Sequence, residues 1–215
     1  ANQEQARTDA QTALDQTAPV SNEAAVADAI SNLQKLLDDP KSTAKEIADA
    51  TTALTTAVAD ANEKRDAANA AADQAVADVP SELASEPTVA AAEQALKELQ
   101  DAAAADQSDA LTADIEAATK ALQDAVQTAD QARDTARDAA TDLLTQTAPL
   151  SNEAKVASAK EALQKLLDDP TSTTATIENA TATLRDALLA DGANRNAANT
   201  AGTSLVDLVK GAPAY

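Results

Sequence analysis

The sequence predicts an all-α protein: tandem three-helix bundles joined by long continuous shared helices into an elongated rod. Three observations predict it. The chain repeats itself with a period of about 65 residues, the signature of a modular array. Its apolar residues recur at helical spacing across long stretches that contain neither proline nor glycine. Its small share of large apolar residues is made up by alanine, the strongest helix former.

The third point decides between order and disorder. The 215 residues include 35 Leu, Ile and Val, no Phe, and a formal net charge of −20. That profile also fits a disordered acidic tether. Against disorder stands the placing of the large residues, which fall on stripes rather than at random. Ala-rich helices can also approach closely, so a narrow core needs less side-chain volume.

The repeat is plainest between the ends of the chain. Residues 17–40 and 147–170 are identical at 18 of 24 positions, at a constant offset of 130. Both copies carry Thr-Ala-Pro-x-Ser-Asn-Glu-Ala and, further on, Leu-Gln-Lys-Leu-Leu-Asp-Asp-Pro. A more divergent copy lies between them. Ile47, Thr51, Leu54, Val58, Ala61 and Arg65 match Ile115, Thr119, Leu122, Val126, Ala129 and Arg133 at an offset of 68. Three modules follow, at 1–64, 65–132 and 133–195, with 196–215 as the partial first helix of a further module or a tail.

In module one, helix A spans about Gln3 to Gln16 and Pro19 stops it, since proline cannot continue a helix. Ser21 or Asn22 caps helix B, which carries Val26, Ile30, Leu33 and Leu37 on one face. Asp38-Asp39-Pro40 ends helix B. Thr43, with Glu46 three residues on, forms a capping box that opens helix C. From Ser42 to Val79 no breaker occurs. That stretch reads as a single helix of about 36 residues, ~54 Å long, in which helix C of one module becomes helix A of the next.

In module two, Pro80 and Pro87 bracket the first loop, with Pro87 in the first turn of helix B. Val89, Ala92, Leu96 and Leu99 form that helix's apolar face, and a longer loop covers about Asp101 to Asp109. Helix C then runs from about Asp109 into helix A of module three, ending near Gln146. Module three places helix B near Asn152 to Asp168 and helix C from Thr173. All three glycines, Gly192, Gly202 and Gly211, fall at the C-terminal end. Gly192 weakens a helix by ~1 kcal/mol or breaks it. Residues 196–210 still read as the first helix of a fourth module.

The odd number of helices makes the chain leave each module at the end opposite its entry. Bundles sharing a helix therefore stack end to end, over roughly 100–150 Å for three modules. Arg65, Arg133 and Arg195 occupy equivalent places on the apolar stripe of helix C. Either they sit at module junctions and meet acidic residues of adjoining loops, Glu23 or Asp101 for Arg65, or they are solvated on a helix edge. An exposed pair contributes only ~0–1 kcal/mol.

Chemistry is scarce in this sequence. Without His or Cys, the usual triads, thiolate sites and disulfides are excluded, and the lone aromatic is Tyr215. The pairs Asp38-Asp39 and Asp168-Asp169 sit at helix ends beside proline, where they serve termination better than catalysis or calcium binding. The sequon Asn179-Ala-Thr181 falls within a helix and is incidental. No catalytic, cofactor-binding or metal residue is expected. The net charge repels nucleic acid and anionic membranes, and no apolar run is long enough to insert in a membrane. The partners expected are neighbouring repeats of the same chain, in a monomer. The chain does not begin with Met, so it is expected to be a piece of a longer protein.

One resemblance is visible. Leu-x-x-Leu-Leu-x-x-Pro at Leu33 to Pro40, and Ile-x-x-Ala-Thr-x-x-Leu at Ile47 to Leu54 and Ile177 to Leu184, resemble FIVAR modules. The resemblance implies three-helix spacer or binding units in cell-wall-associated proteins of Gram-positive bacteria. It implies no catalytic residues and an extracellular, wall-attached location. The chain lacks the aromatic positions often seen in such modules. The function expected is a structural stalk of a surface adhesin, projecting a functional domain from the cell wall. Two alternatives are an adhesive module binding host matrix protein or glycan, and an accessory region of a secreted carbohydrate-active enzyme.

Overall fold

The computed structural model describes residues 2–104, 111–147 and 153–210, with side chains as far as 206. Among these residues the chain is all-helical, with seven helices and no strand. In order they are α1 Gln3–Asp15, α2 Ala24–Asp38, α3 Ala44–Ala77, α4 Pro87–Ala103, α5 Thr112–Gln146, α6 Ala154–Asp168 and α7 Thr174–Lys210. The chain divides into two compact units: Ala1–Val79 with Pro87–Val126, and Pro80–Glu86 with Gln127–Tyr215.

In the first unit, α1 and α2 both pack chiefly on α3 and only lightly on each other. Their shared core holds Ala6 and Ala10 from α1, Val26 and Leu33 from α2, and Ile47, Ala50, Leu54 and Ala61 from α3. The buried residues of α3 therefore stand three, four or seven places apart, as the stripe in the sequence demands. Several of these positions are alanine, which allows helix axes to approach closely. Thr51 lies on the same stripe and donates its hydroxyl to the Ile47 carbonyl at 2.8 Å, so a polar residue is accommodated without an orphaned group. In the second unit, Ala136 and Ala140 of α5, Val156, Ala159 and Leu163 of α6, and Ile177 and Leu184 of α7 form the equivalent core.

The helix ends follow the expected signals at most places. Thr43 accepts from the Glu46 N–H and Glu46 accepts from the Thr43 N–H, the reciprocal capping box. Pro87 is the first residue of α4. The continuous helix expected over Ser42 to Val79 is α3, 34 residues without a break.

Two expectations need correction, and a third is decided between its alternatives. Neither Ser21 nor Asn22 stands at the N-cap of α2; Glu23 does, and its side chain makes no capping bond there. The reason is the preceding turn, in which Val20 is fully buried and the Glu23 N–H bonds the Val20 carbonyl. Burying Val20 carries the turn one residue further before the helix starts. Asp101 belongs to α4 rather than to a loop, and it pairs with Lys97 at 3.7 Å. Of the longer loop expected over 101–109, residues 105–110 lie outside the described residues. Gly192 does not break α7, which runs 37 residues through it. One glycine costs a helix only ~1 kcal/mol, and the neighbouring turns outweigh it.

Candidate functional site

Alanine and aliphatic side chains fill the cores between the helices, so the informative residues are the buried charges. Arg65 and Arg133 are each almost fully buried, at 4 % and 6 % exposure. A buried cation is strongly unfavourable unless its donors are all met.

The Nη groups of Arg65 find their acceptors at the end of the first core. Its Nη1 donates to the carbonyl of Pro19, in the turn after α1, at 2.9 Å. The same atom donates to the carbonyl of Ala103, the last residue of α4, at 3.0 Å. Its Nη2 pairs with Glu23 Oε1 at 3.2 Å. The sequence left Glu23, Asp101 or open solvent as the environment of Arg65. The structure selects Glu23.

Glu23 does a second thing that the sequence reading missed. Its Oε1 accepts from the N–H of Thr112 at 2.7 Å and from the Thr112 hydroxyl at 2.6 Å. Thr112 opens α5, and the first N–H groups of a helix have no partner within it. Glu23, 89 residues earlier, thus supplies the N-terminal cap of α5. Its negative charge also suits the positive end of the helix dipole. Burial pushes the Glu23 carboxyl up, but the Thr112 bonds, the Arg65 bond and the Arg65 charge outweigh it. The carboxyl is held below the ordinary glutamate value.

A similar arrangement recurs in the second unit, with the arginine bonded to backbone carbonyls alone. Arg133 Nη1 donates to the Glu82 carbonyl at 2.9 Å and Nη2 to the Pro170 carbonyl. Glu86, 5 % exposed, accepts from the N–H of Thr174 at 2.6 Å and from its hydroxyl at 2.8 Å. Thr174 opens α7 as Thr112 opens α5. Glu86 precedes α4 as Glu23 precedes α2, and Leu83, 1 % exposed, plugs the turn as Val20 does. Beside this latch, Asp169 is held below the ordinary aspartate value by bonds from the Thr171 hydroxyl and N–H, with burial opposing and Ser172 and the Arg133 charge assisting.

The third arginine differs. The Arg195 side chain is 47 % exposed, with Nε on Asp191 at 2.8 Å and Nη2 at 3.9 Å from Glu153. Glu153 precedes α6 as Glu23 precedes α2. A reduced version stands at the start of α1. Gln3 stands where the others have arginine and donates to the Ser42 carbonyl at 2.7 Å. Ala44 stands where the others have Thr112 and Thr174, so no hydroxyl is offered there.

A second pair of arginines clamps helix ends. Arg7 donates to the carbonyls of Leu37 and Asp39 at 2.5 and 3.2 Å, and Arg137 to those of Leu167 and Asp169 at 2.8 and 3.1 Å. Both satisfy the last carbonyls of a second helix and set a cation at its negative end. Their offset of 130 repeats that of the loop motif, a signal the sequence reading did not use.

The grooves on the two units are lined mainly by alanines, threonines and the flanks of these latches. Among the described residues no cluster of three or more His, Cys, Asp or Glu could hold a metal ion. None of the described helices is long and apolar enough to cross a membrane. In comparisons with protein-family models, curated proteins and solved structures, nothing matches this chain.

Proposed function

We propose that the chain is a non-catalytic spacer. In this reading three bundles, 1–64, 65–132 and 133–195, stack through the shared helices α3, α5 and α7 into an elongated rod. The rod carries a functional domain away from a bacterial cell wall as the stalk of a surface adhesin. One observation carries the reading: the buried guanidinium groups of Arg65 and Arg133 are taken up by backbone carbonyls of helix ends and turns and, for Arg65, by Glu23. Arg65 ties Pro19 and Glu23 to Ala103, and Arg133 ties Glu82 to Pro170. A repeat selected for mechanical continuity needs such ties, because helices joined only by a flexible segment lose their relative direction. The FIVAR-like motifs support the wall location.

Small-angle scattering of the 215-residue chain tests the reading. A rod of roughly 100–150 Å has a radius of gyration of roughly 30–40 Å. A compact particle of this length has one of about 17 Å, and that result would sink the spacer. Saturable binding of the chain to a host matrix protein or glycan would favour the adhesive alternative instead.

A further inference from the structure

The two complete latches define what each face of the repeat requires. An outgoing helix provides an arginine. The turn before the middle helix provides a glutamate. The incoming two-helix hairpin provides a backbone carbonyl from the end of its first helix or the loop beyond, and a threonine at the start of its second. All four are present around Arg65, with Glu23, Ala103 and Thr112. Around Arg133 the carbonyl is that of Pro170, and Thr174 meets Glu86.

Around Arg195 only the first two are present. Glu153 is 56 % exposed, and the Arg195 guanidinium lies 3.9 Å from it, held meanwhile by Asp191. Beyond Arg195, α7 continues to Lys210, and its residues 196–206 are exposed. It carries Leu205 at 64 % and Val206 at 50 % exposure, two of the most exposed large apolar residues described. The corresponding stretch of α3 beyond Arg65 buries Ala68, Ala72 and Ala75, and that of α5 beyond Arg133 buries Ala136 and Ala140.

We propose that Glu153, Arg195 and the Leu205–Val206 stripe of α7 form an open latch whose occupant is a two-helix hairpin of the same repeat, supplied in line by the same polypeptide. The hairpin's second helix opens with threonine, and its N–H and hydroxyl bind Glu153. A carbonyl at the end of its first helix or in the loop beyond takes Arg195. Its apolar faces cover Leu205 and Val206. A second copy of this chain does not fit the site. Its first module offers Ala44 in place of the threonine, and its α1 would need the space that α7 already fills. The inference rests on the spacer reading, since it extends the same latch by one step.

The test extends the chain beyond Pro213 with a copy of residues 150–187 and follows amide hydrogen exchange along α7. In the extended chain, exchange at 196–206 is expected to slow by about tenfold or more relative to the 215-residue chain. Replacing the copied Thr174 by Ala, or Glu153→Gln, is expected to remove most of that protection. Glu153→Gln in the 215-residue chain is expected to leave stability unchanged, because Glu153 makes no capping bond in α6. Unchanged exchange at 196–206 on extension would overturn the proposal, as would protection indifferent to Glu153. The same hairpin added as a separate peptide, if it protected α7 equally well at micromolar concentration, would overturn the in-line source. Failure here leaves the scattering result standing, so the two readings fail separately.

Discussion

At the scale of the residue, burial separates three arginines that look alike in the sequence. Arg65 is enclosed by two carbonyls and a carboxylate, so Arg65→Ala leaves all three acceptors without their donor and Glu23 without its counter-charge. We expect a loss of ~2–4 kcal/mol in urea unfolding, the range for breaking a buried ion pair that is partly open to water. Arg195→Ala, at an exposed pair, is expected to change stability by no more than ~1 kcal/mol. Equal effects of the two substitutions would contradict the distinction. Glu23 adds a pH signature. Its folded-state carboxyl titrates below the ordinary value, so the unfolded chain takes up the proton first on acidification. Its contribution is fully present above the ordinary glutamate pKa of about 4.3 and fades as pH falls through the lower folded value. Glu23→Gln should therefore flatten the decline in stability between pH 5 and pH 3, which chemical denaturation at each pH would read. Glu46 and Asp169 are shifted in the same direction but are common to both proteins, so they cancel in the comparison. So does the relief of charge repulsion on acidification. Parallel curves for the two proteins would remove Glu23 from the account.

At the scale of the element, the long helices carry their own weak points. Gly192 lies inside α7, and a methyl group added there would meet nothing within 4 Å. Gly192→Ala should therefore raise stability by ~0.5–1 kcal/mol, through the lower entropy of the unfolded chain and better helix propensity. Thermal unfolding, with helicity followed by circular dichroism, measures it. No gain would mean that α7 is not helical around that position in solution. The threonines on the core stripes are a different case. Thr119 and Thr181 donate to the carbonyls of Ile115 and Ile177, each at 2.7 Å, as Thr51 does to that of Ile47. The helices thereby absorb polar residues at buried positions.

At the scale of the whole molecule, the spacer reading makes α3 the element on which direction depends. Asn62→Pro removes a backbone hydrogen bond just ahead of Arg65 and kinks or breaks the helix, at ~3 kcal/mol or more. The expected result is a shorter and broader distribution of pair distances in scattering than that of the parent chain, with most of the helicity retained. A proline variant with an unaltered distribution would mean that the continuity of α3 does not set the particle's extent.

Much of this was legible in the sequence because it is local. Helix positions, the capping box at Thr43, the proline at the start of α4 and the heptad stripe through Ile47, Leu54 and Ala61 depend on residues a few places apart. The internal repeat was also legible, since it needs only comparison of the chain with itself. Arg65, Arg133 and Arg195 could be singled out because a cation interrupting an apolar stripe is a local anomaly. The tertiary structure alone decided what those anomalies are for. Glu23 rather than Asp101 neutralises Arg65, because Asp101 turns out to be helical and Glu23, at the end of the turn that buries Val20, lies against the guanidinium. The cap of α5 comes from a residue 89 positions earlier, and that of α7 from one 88 positions earlier. No periodicity encodes such a partner. It exists only once packing has brought a helix N-terminus, with its unmet N–H groups, against a carboxylate near enough to accept from them.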